Sequence, residues 1–300
     1  MTTDAAVFFG QFSSRLRSER PVSPWVWTLL GGLAIPLWAT WPALSLKTWD
    51  MPAFECLTII FLVAWLAMLR SEGAVPGSTG AGSSWILALA FAVGEVGSAA
   101  SFMRSTHYIA AAEANLIVYL WPGMIIGIGA ALGIFRLRLR HIIGIVLGFS
   151  GVAILMRSAT FSFSYWGVGL ALLGGLSWAL YCLFRLKWNT PAGPFLGRGF
   201  GISALICGAT HLLIERPVTP SLHSLVAAVA IGVVPTAIAN KAWDAGFRRG
   251  DSQLLAVMAY GTPLCSALFL TVLGIESFTW KLLLGAIVIV VAGVMSRADL

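Results

Sequence analysis

The sequence predicts an all-α polytopic membrane protein of ten transmembrane helices, arranged as two five-helix repeats of opposite orientation. Three observations carry that expectation: an apolar excess, a one-sided distribution of basic residues, and an internal register near 140 residues. Of 300 residues, 58% are hydrophobic and 10% are charged, with mean hydropathy +0.88. Soluble domains carry about 25% charged residues because water must solvate their surface. A soluble enzyme, a disordered chain and a secreted disulfide scaffold are therefore excluded. Cys56, Cys182, Cys207 and Cys265 fall in separate apolar stretches without a C-x-x-C pair, as reduced packing residues do. The net charge of +7 is spread between apolar runs and forms no stripe for nucleic acid.

A hydrocarbon core about 30 Å thick takes roughly 20 apolar residues per helix, and ten runs answer to that need. Residues 1–24 form an arm whose Arg15, Arg17 and Arg20 predict a cytoplasmic location rather than a secretory leader. The first run, 25–44, contains Pro36, and the second, 53–69, stops at Arg70. The Gly- and Ser-rich stretch 73–84 leads to the third, 84–103, with Glu95 at its middle. The fourth, 108–133, is long enough to tilt or kink around Pro122. The fifth, 141–157, follows Arg136, Arg138 and Arg140. The sixth, 165–184, carries Gly167, Gly169, Gly174 and Gly175, small residues that let helices approach closely. A turn at 189–199 precedes the seventh, 195–214, and the eighth, 222–243, contains Pro235. The ninth, 252–273, is again long and contains Pro263, and the tenth is 279–296. These are continuous apolar runs, not the ten-residue alternations of a transmembrane β-barrel.

With ten spans both termini share a side, and that side collects fourteen of the 19 Lys and Arg residues. Lys47, Arg104, Arg157, Arg216 and Lys281 lie on the other. The positive-inside rule then puts both termini in the cytoplasm. At a shift of 141, Tyr119 meets Tyr260, Pro122 meets Pro263, Gly133 meets Gly274 and Gly144 meets Gly285. A shift of 140 pairs Trp38 with Trp178. The repeats span 25–158 and 165–297, five helices each. An odd number forces opposite orientations, the arrangement of many secondary transporters. Pro36, Pro122, Pro235 and Pro263 each remove a backbone N–H within a span, as hinges for alternating access or as packing kinks.

With these residues in register, the chain resembles the drug/metabolite transporter superfamily, whose members carry two EamA-type five-helix repeats. The resemblance covers 25–296 and rests on EANLIVYLWPGM (113–124) and AVMAYGTPLCSAL (256–268). An acidic residue that often closes the Pro-bearing helix is Glu276 in the second repeat, whereas Phe135 stands at the equivalent place in the first. Within the superfamily the chain is most similar to YddG-type bacterial aromatic amino acid exporters. That likeness rests on Tyr-Leu-Trp-Pro at 119–122 with Glu113 upstream, and on Glu95. Ser-Trp-Ala-Leu-Tyr-Cys at 177–182, and Ala-Trp-x-x-Gly at 242–246 leading to Tyr-x-Thr-Pro at 260–263, complete it. The resemblance implies a monomeric bacterial inner-membrane carrier of small molecules, with no cofactor.

Trp25, Trp27, Trp49, Trp85, Trp166, Trp188 and Trp280 sit at span ends, as an interfacial aromatic belt predicts. Trp38, Trp121 and Trp178 lie inside spans, where they either face a solute through their rings or pack between helices. Trp65 reads as packing. Tyr119, Tyr181 and Tyr260 are further cavity candidates. Acids within spans are costly, at least about 2.5–3.5 kcal/mol at mid-bilayer, so Glu95 and Glu113 should face the bundle interior. There they would hold an ammonium group, exchange protons, or hydrogen-bond neighbouring helices. Glu55 is expected at the interface, Lys241 and Asp244 as a mutual pair, and Asn115 and Asn240 as carboxylate or backbone partners. His107, His141 and His223 lie near span ends, and His211 is deep enough to carry a proton.

Together these features predict an amino acid exporter, passive or proton-linked, working by alternating access. A broader metabolite, sugar or cationic-drug carrier of the same fold is the alternative. No G-x-S-x-G, H-E-x-x-H or paired His–acid constellation supports an enzyme or a metal site. No Walker motif supports ATP use, and no ring-forming filter supports a channel.

Overall fold

The computed structural model describes residues 23–48, 50–69, 81–109, 111–155, 164–188, 195–274 and 280–295. All regular structure among them is helical. Five helical runs are long and apolar enough to cross a bilayer: Ser84–Ser105, Tyr165–Lys187, Phe195–Ile214, Leu222–Arg249 and Ser252–Val272. Ala53–Leu69, Trp121–Ala131 and Leu139–Gly151 are apolar but shorter. Large side chains such as Leu205, Leu213 and Val272 point outward, at 75%, 83% and 84% exposure. Such an apolar exterior suits lipid, since water-soluble monomers seldom expose wide apolar patches. This is a polytopic membrane protein.

The run 25–44, expected as one helix, is three: α1 (Pro24–Gly32), α2 (Ala34–Trp38) and α3 (Trp41–Ser45). Pro36 and Pro42 cannot donate to the helical ladder. At the second break the Thr40 hydroxyl donates to the Leu37 carbonyl at 2.7 Å. After α4 (Ala53–Leu69) and α5 (Ala81–Ser105), the expected fourth span is also divided, into α6 (Ala111–Val118) and α7 (Trp121–Ala131). The missing Pro122 N–H leaves the Val118 carbonyl without its usual donor. Gly175 comes so close that a Cβ there would lie 2.8 Å from that oxygen. Next come α8 (Leu139–Leu155), α9 (Tyr165–Lys187) and α10 (Phe195–Ile214).

Helix α11 (Leu222–Ile231) runs through a π-helical stretch, Gly232–Ile238, into α12 (Ala239–Arg249). Pro235 therefore widens this span rather than breaking it, and Asn240 Nδ2 joins the Ala239 N–H in donating to the Thr236 carbonyl, at 2.9 Å. Helices α13 (Ser252–Met258) and α14 (Gly261–Val272) meet at Ala259 and Tyr260, and α15 is Trp280–Met295. Side-chain caps from Ser164, Ser221 and Asp251 start α9, α11 and α13.

Several features recur 141 residues apart. Breaks fall at Tyr119 and Tyr260, each followed by a proline. Gly133 and Gly274 have φ of +70° and +71°, and they alone are left-handed among the described residues. At Gly133 the helix end is a Schellman motif, with Ile134 N donating to Gly129 O at 2.8 Å and Gly133 N to Ala130 O at 3.0 Å. Gly274 N makes the matching bond to Thr271 O, also at 3.0 Å. Helix pairing has the same symmetry. α5 packs on α9 as α12 packs on α1, while α4 packs on α10 and α8 on α15. The core between these pairs is aromatic, with Phe61, Phe91, Phe200 and Phe247 fully buried.

Candidate functional site

Where α2, α3, α5, α6, α7, α9, α12 and α14 converge they line a cavity of about 510 Å³, within the usual range for small-molecule sites. Its walls follow from helical spacing. On α5, Gly94 and Gly97 face α9 so closely that a Cβ on Gly94 would lie 2.6 Å from Tyr181 Cβ. That contact turns the neighbouring face, Glu95, Ser98 and Ala99, into the cavity. Asn115, Val118 and Tyr119 share one face of the α6 region by the same i, i+3, i+4 logic. From α14 come Thr262, Pro263 and Ser266, and from the opposite span Pro235 and Asn240.

Trp38, Trp121 and Trp178 all line the cavity. The Trp38 and Trp178 rings, at repeat-equivalent positions, meet edge-on with centroids 6.3 Å apart. Trp243 lies behind them, 5.1 Å from Trp38 and 5.7 Å from Trp121, and joins the three into one cluster. Sequence reasoning gave Trp243 no cavity role. The signal was Gly246, three residues on, which touches Gly31 and fixes the rotation of α12. Trp41 also lines the cavity, one helical turn after Trp38.

Glu95 is half-buried and is the one acidic or basic side chain lining the cavity among the described residues. Its carboxylate makes no hydrogen bond or ion pair among the described residues. The side chain of Glu113, the other expected acid, lies outside the described residues, as do Trp49 and Glu276. Two expected tyrosines stand away from the cavity. Tyr181 is packed between Phe91 and Trp178, its centroid 5.2 Å from each. Tyr260 is fully buried against Gly148, where a Cβ would lie 2.3 Å from its ring. Among the prolines, Pro235 and Pro263 reach the cavity wall, whereas Pro122 is buried and Pro36 lies off the lining. Trp65 packs on Gly201.

Other charges are committed elsewhere. Asp244, for which the sequence suggested Lys241, is bound by Arg185 at 2.7 Å, with Arg248 at 4.0 Å. His211 Nδ1 lies 2.9 Å from Glu215, and its Nε2 lies 3.8 Å from Glu55. Glu215 also accepts from the backbone N–H groups of Phe54 and Glu55, capping α4 at 3.1–3.2 Å. This cluster ties α4 to α10 away from the cavity.

Known proteins are similar to this chain in sequence and in fold. Residues 165–297 match the EamA-like transporter family. The chain is 30% identical over 276 residues to the aromatic amino acid exporter YddG of Ancylobacter novellus, covering 88% of this chain and 94% of that one. It is 25% identical to the aromatic amino acid exporter YddG of Escherichia coli, covering 87% and 93%. A solved crystal structure 27% identical in sequence superposes with a TM-score of 0.82, over 92% of this chain and 97% of that chain.

Proposed function

The chain belongs to the EamA-like transporter family, and from that premise we propose that it exports aromatic and other neutral amino acids. The observation that carries this reading is Glu95, a carboxylate with no partner among the described residues, in a cavity whose other described lining side chains are tryptophans, uncharged polar groups and apolar residues. A carboxylate there complements an α-ammonium group, and Trp38, Trp121 and Trp178 offer flat faces to an aromatic or aliphatic side chain. The protein is a transporter and not an enzyme.

The route is alternating access in ten spans, two inverted five-helix repeats with both termini cytoplasmic, in the bacterial inner membrane. Support comes from the breaks, the left-handed glycines and the helix pairings that recur 141 residues apart. Divided helices near a central site are the parts that move and bind in such carriers. Proteoliposomes loaded with unlabelled phenylalanine, threonine or methionine should accumulate the labelled amino acid by counterflow. Uptake no greater than in empty vesicles for all three would refute the substrate class.

A lipophilic organic cation is the second reading, favoured by the same unpaired Glu95. Counterflow of tetraphenylphosphonium without amino acid exchange would select it.

A further inference from the structure

Thr262 lines the cavity, is 6% exposed, and has a hydroxyl without a hydrogen-bond partner among the described residues. Helical hydroxyls elsewhere in the chain turn back to a carbonyl one turn earlier. Thr58, Ser177, Thr210 and, on the same helix as Thr262, Thr271 do so at 2.6–2.8 Å. The Thr262 hydroxyl makes no such bond to the Met258 or Ala259 carbonyl. The hydroxyls of Ser84, Ser203 and Thr236 are also buried and unpartnered, but none of them reaches the cavity. A buried hydroxyl left unpaired is costly, so one facing a binding cavity marks where a ligand acceptor belongs.

The surroundings specify that ligand as an anion. Thr262 is the second residue of α14, a twelve-residue helix whose N-terminus carries the positive end of its dipole. The Tyr119 hydroxyl stands beside that of Thr262, and the Asn115 carboxamide lines the same cavity with no side-chain hydrogen bond among the described residues. Among the described residues no acidic side chain of α14 or α6 lines this wall, and the carboxylate they bring to the cavity, Glu95, comes from α5.

We propose that Thr262, with Tyr119 and Asn115, receives the carboxylate of the transported amino acid while Glu95 takes its ammonium group. The site then selects zwitterions and rejects solutes lacking either end. This inference rests on the amino acid reading above and adds to it the group that distinguishes an amino acid from an amine.

The test is competition against labelled L-phenylalanine on the full-length protein in nanodiscs. Unlabelled L-phenylalanine, phenethylamine (no carboxylate) and 3-phenylpropionate (no ammonium) are the competitors. On the wild type, L-phenylalanine should bind tighter than phenethylamine by about tenfold or more, the worth of a hydrogen bond to a charged group. Thr262→Val should raise the Kd for L-phenylalanine by about tenfold and leave that for phenethylamine unchanged, which also shows that the variant is folded. Thr262→Ser, which keeps the hydroxyl, should recover most of the loss. Equal weakening of both ligands, or no change in either, would overturn the carboxylate subsite and leave the amino acid reading standing. A wild type that binds no neutral amino acid would overturn both.

Discussion

At Gly246 a single hydrogen atom separates two helices. A Cβ there would lie 2.4 Å from Gly31 Cα and 2.6 Å from the Trp27 carbonyl, both backbone atoms that cannot rotate away. Gly246→Ala must therefore push α12 off α1 and shift Trp243 from its place between Trp38 and Trp121. A cost of about 1–3 kcal/mol is expected, the range for overpacking, read as a lower Tm of the purified protein. Gly127→Ala is the control, since nothing lies within 4 Å of a Cβ there. It should be neutral or stabilising by about 0.5–1 kcal/mol through helix propensity. Residue chemistry of this kind was partly visible in the sequence. Trp38, Glu95, Trp121 and Trp178 stood out because tryptophans and acids inside apolar runs need a reason to be there. Thr262 did not, because a threonine costs little in a span and only its missing partner marks it. Tyr260 matched Tyr119 in the repeat register, yet Gly148 gives it a buried slot while Tyr119 faces the cavity.

Among the elements, the connection between α3 and α4 is fastened to the start of α11. Asp50 accepts from the Ser224 hydroxyl and, at 3.1 Å, from Ser221 N–H. These bonds, the Ser224 hydroxyl first, hold its carboxyl below the usual value of 3.8. A lowered folded pKa means that the stabilisation is present above 3.8 and lost as pH falls through the folded pKa. Acidification from pH 5 to pH 3 should therefore lower the wild-type Tm more than that of Asp50→Asn. Equal acid sensitivity in the two would remove this fastening from the account. The divided helices were legible only as prolines. The sequence marked Pro36, Pro122, Pro235 and Pro263 as interruptions, but the outcome depends on tertiary partners. Pro122 ends in a break opposite Gly175, whereas Pro235 is absorbed by a π stretch in which Asn240 Nδ2 donates to the Thr236 carbonyl.

Across the whole molecule, the apolar exterior and the pairing of α5 with α9 and α12 with α1 frame a cavity lined by residues from both parts of the sequence, Trp38 to Trp121 and Trp178 to Leu270. Membrane residence was legible in composition, because a chain with 10% charged residues cannot clothe a globule in water, and helical class in the continuous apolar runs. A site between the two sequence repeats followed as an expectation from the 141-residue register. Its exact lining did not, because helix rotation is set by close glycine contacts such as Gly94 on Tyr181 and Gly246 on Gly31, which no single-sequence pattern reveals. The central claim is that amino acids pass through this cavity held by Glu95. Its most direct test is the initial rate of labelled L-phenylalanine counterflow in proteoliposomes containing wild type or Glu95→Gln at equal protein content. Robust wild-type exchange with a loss of about tenfold or more in Glu95→Gln is predicted, the value of a charge-assisted hydrogen bond; equal rates in the two would contradict it.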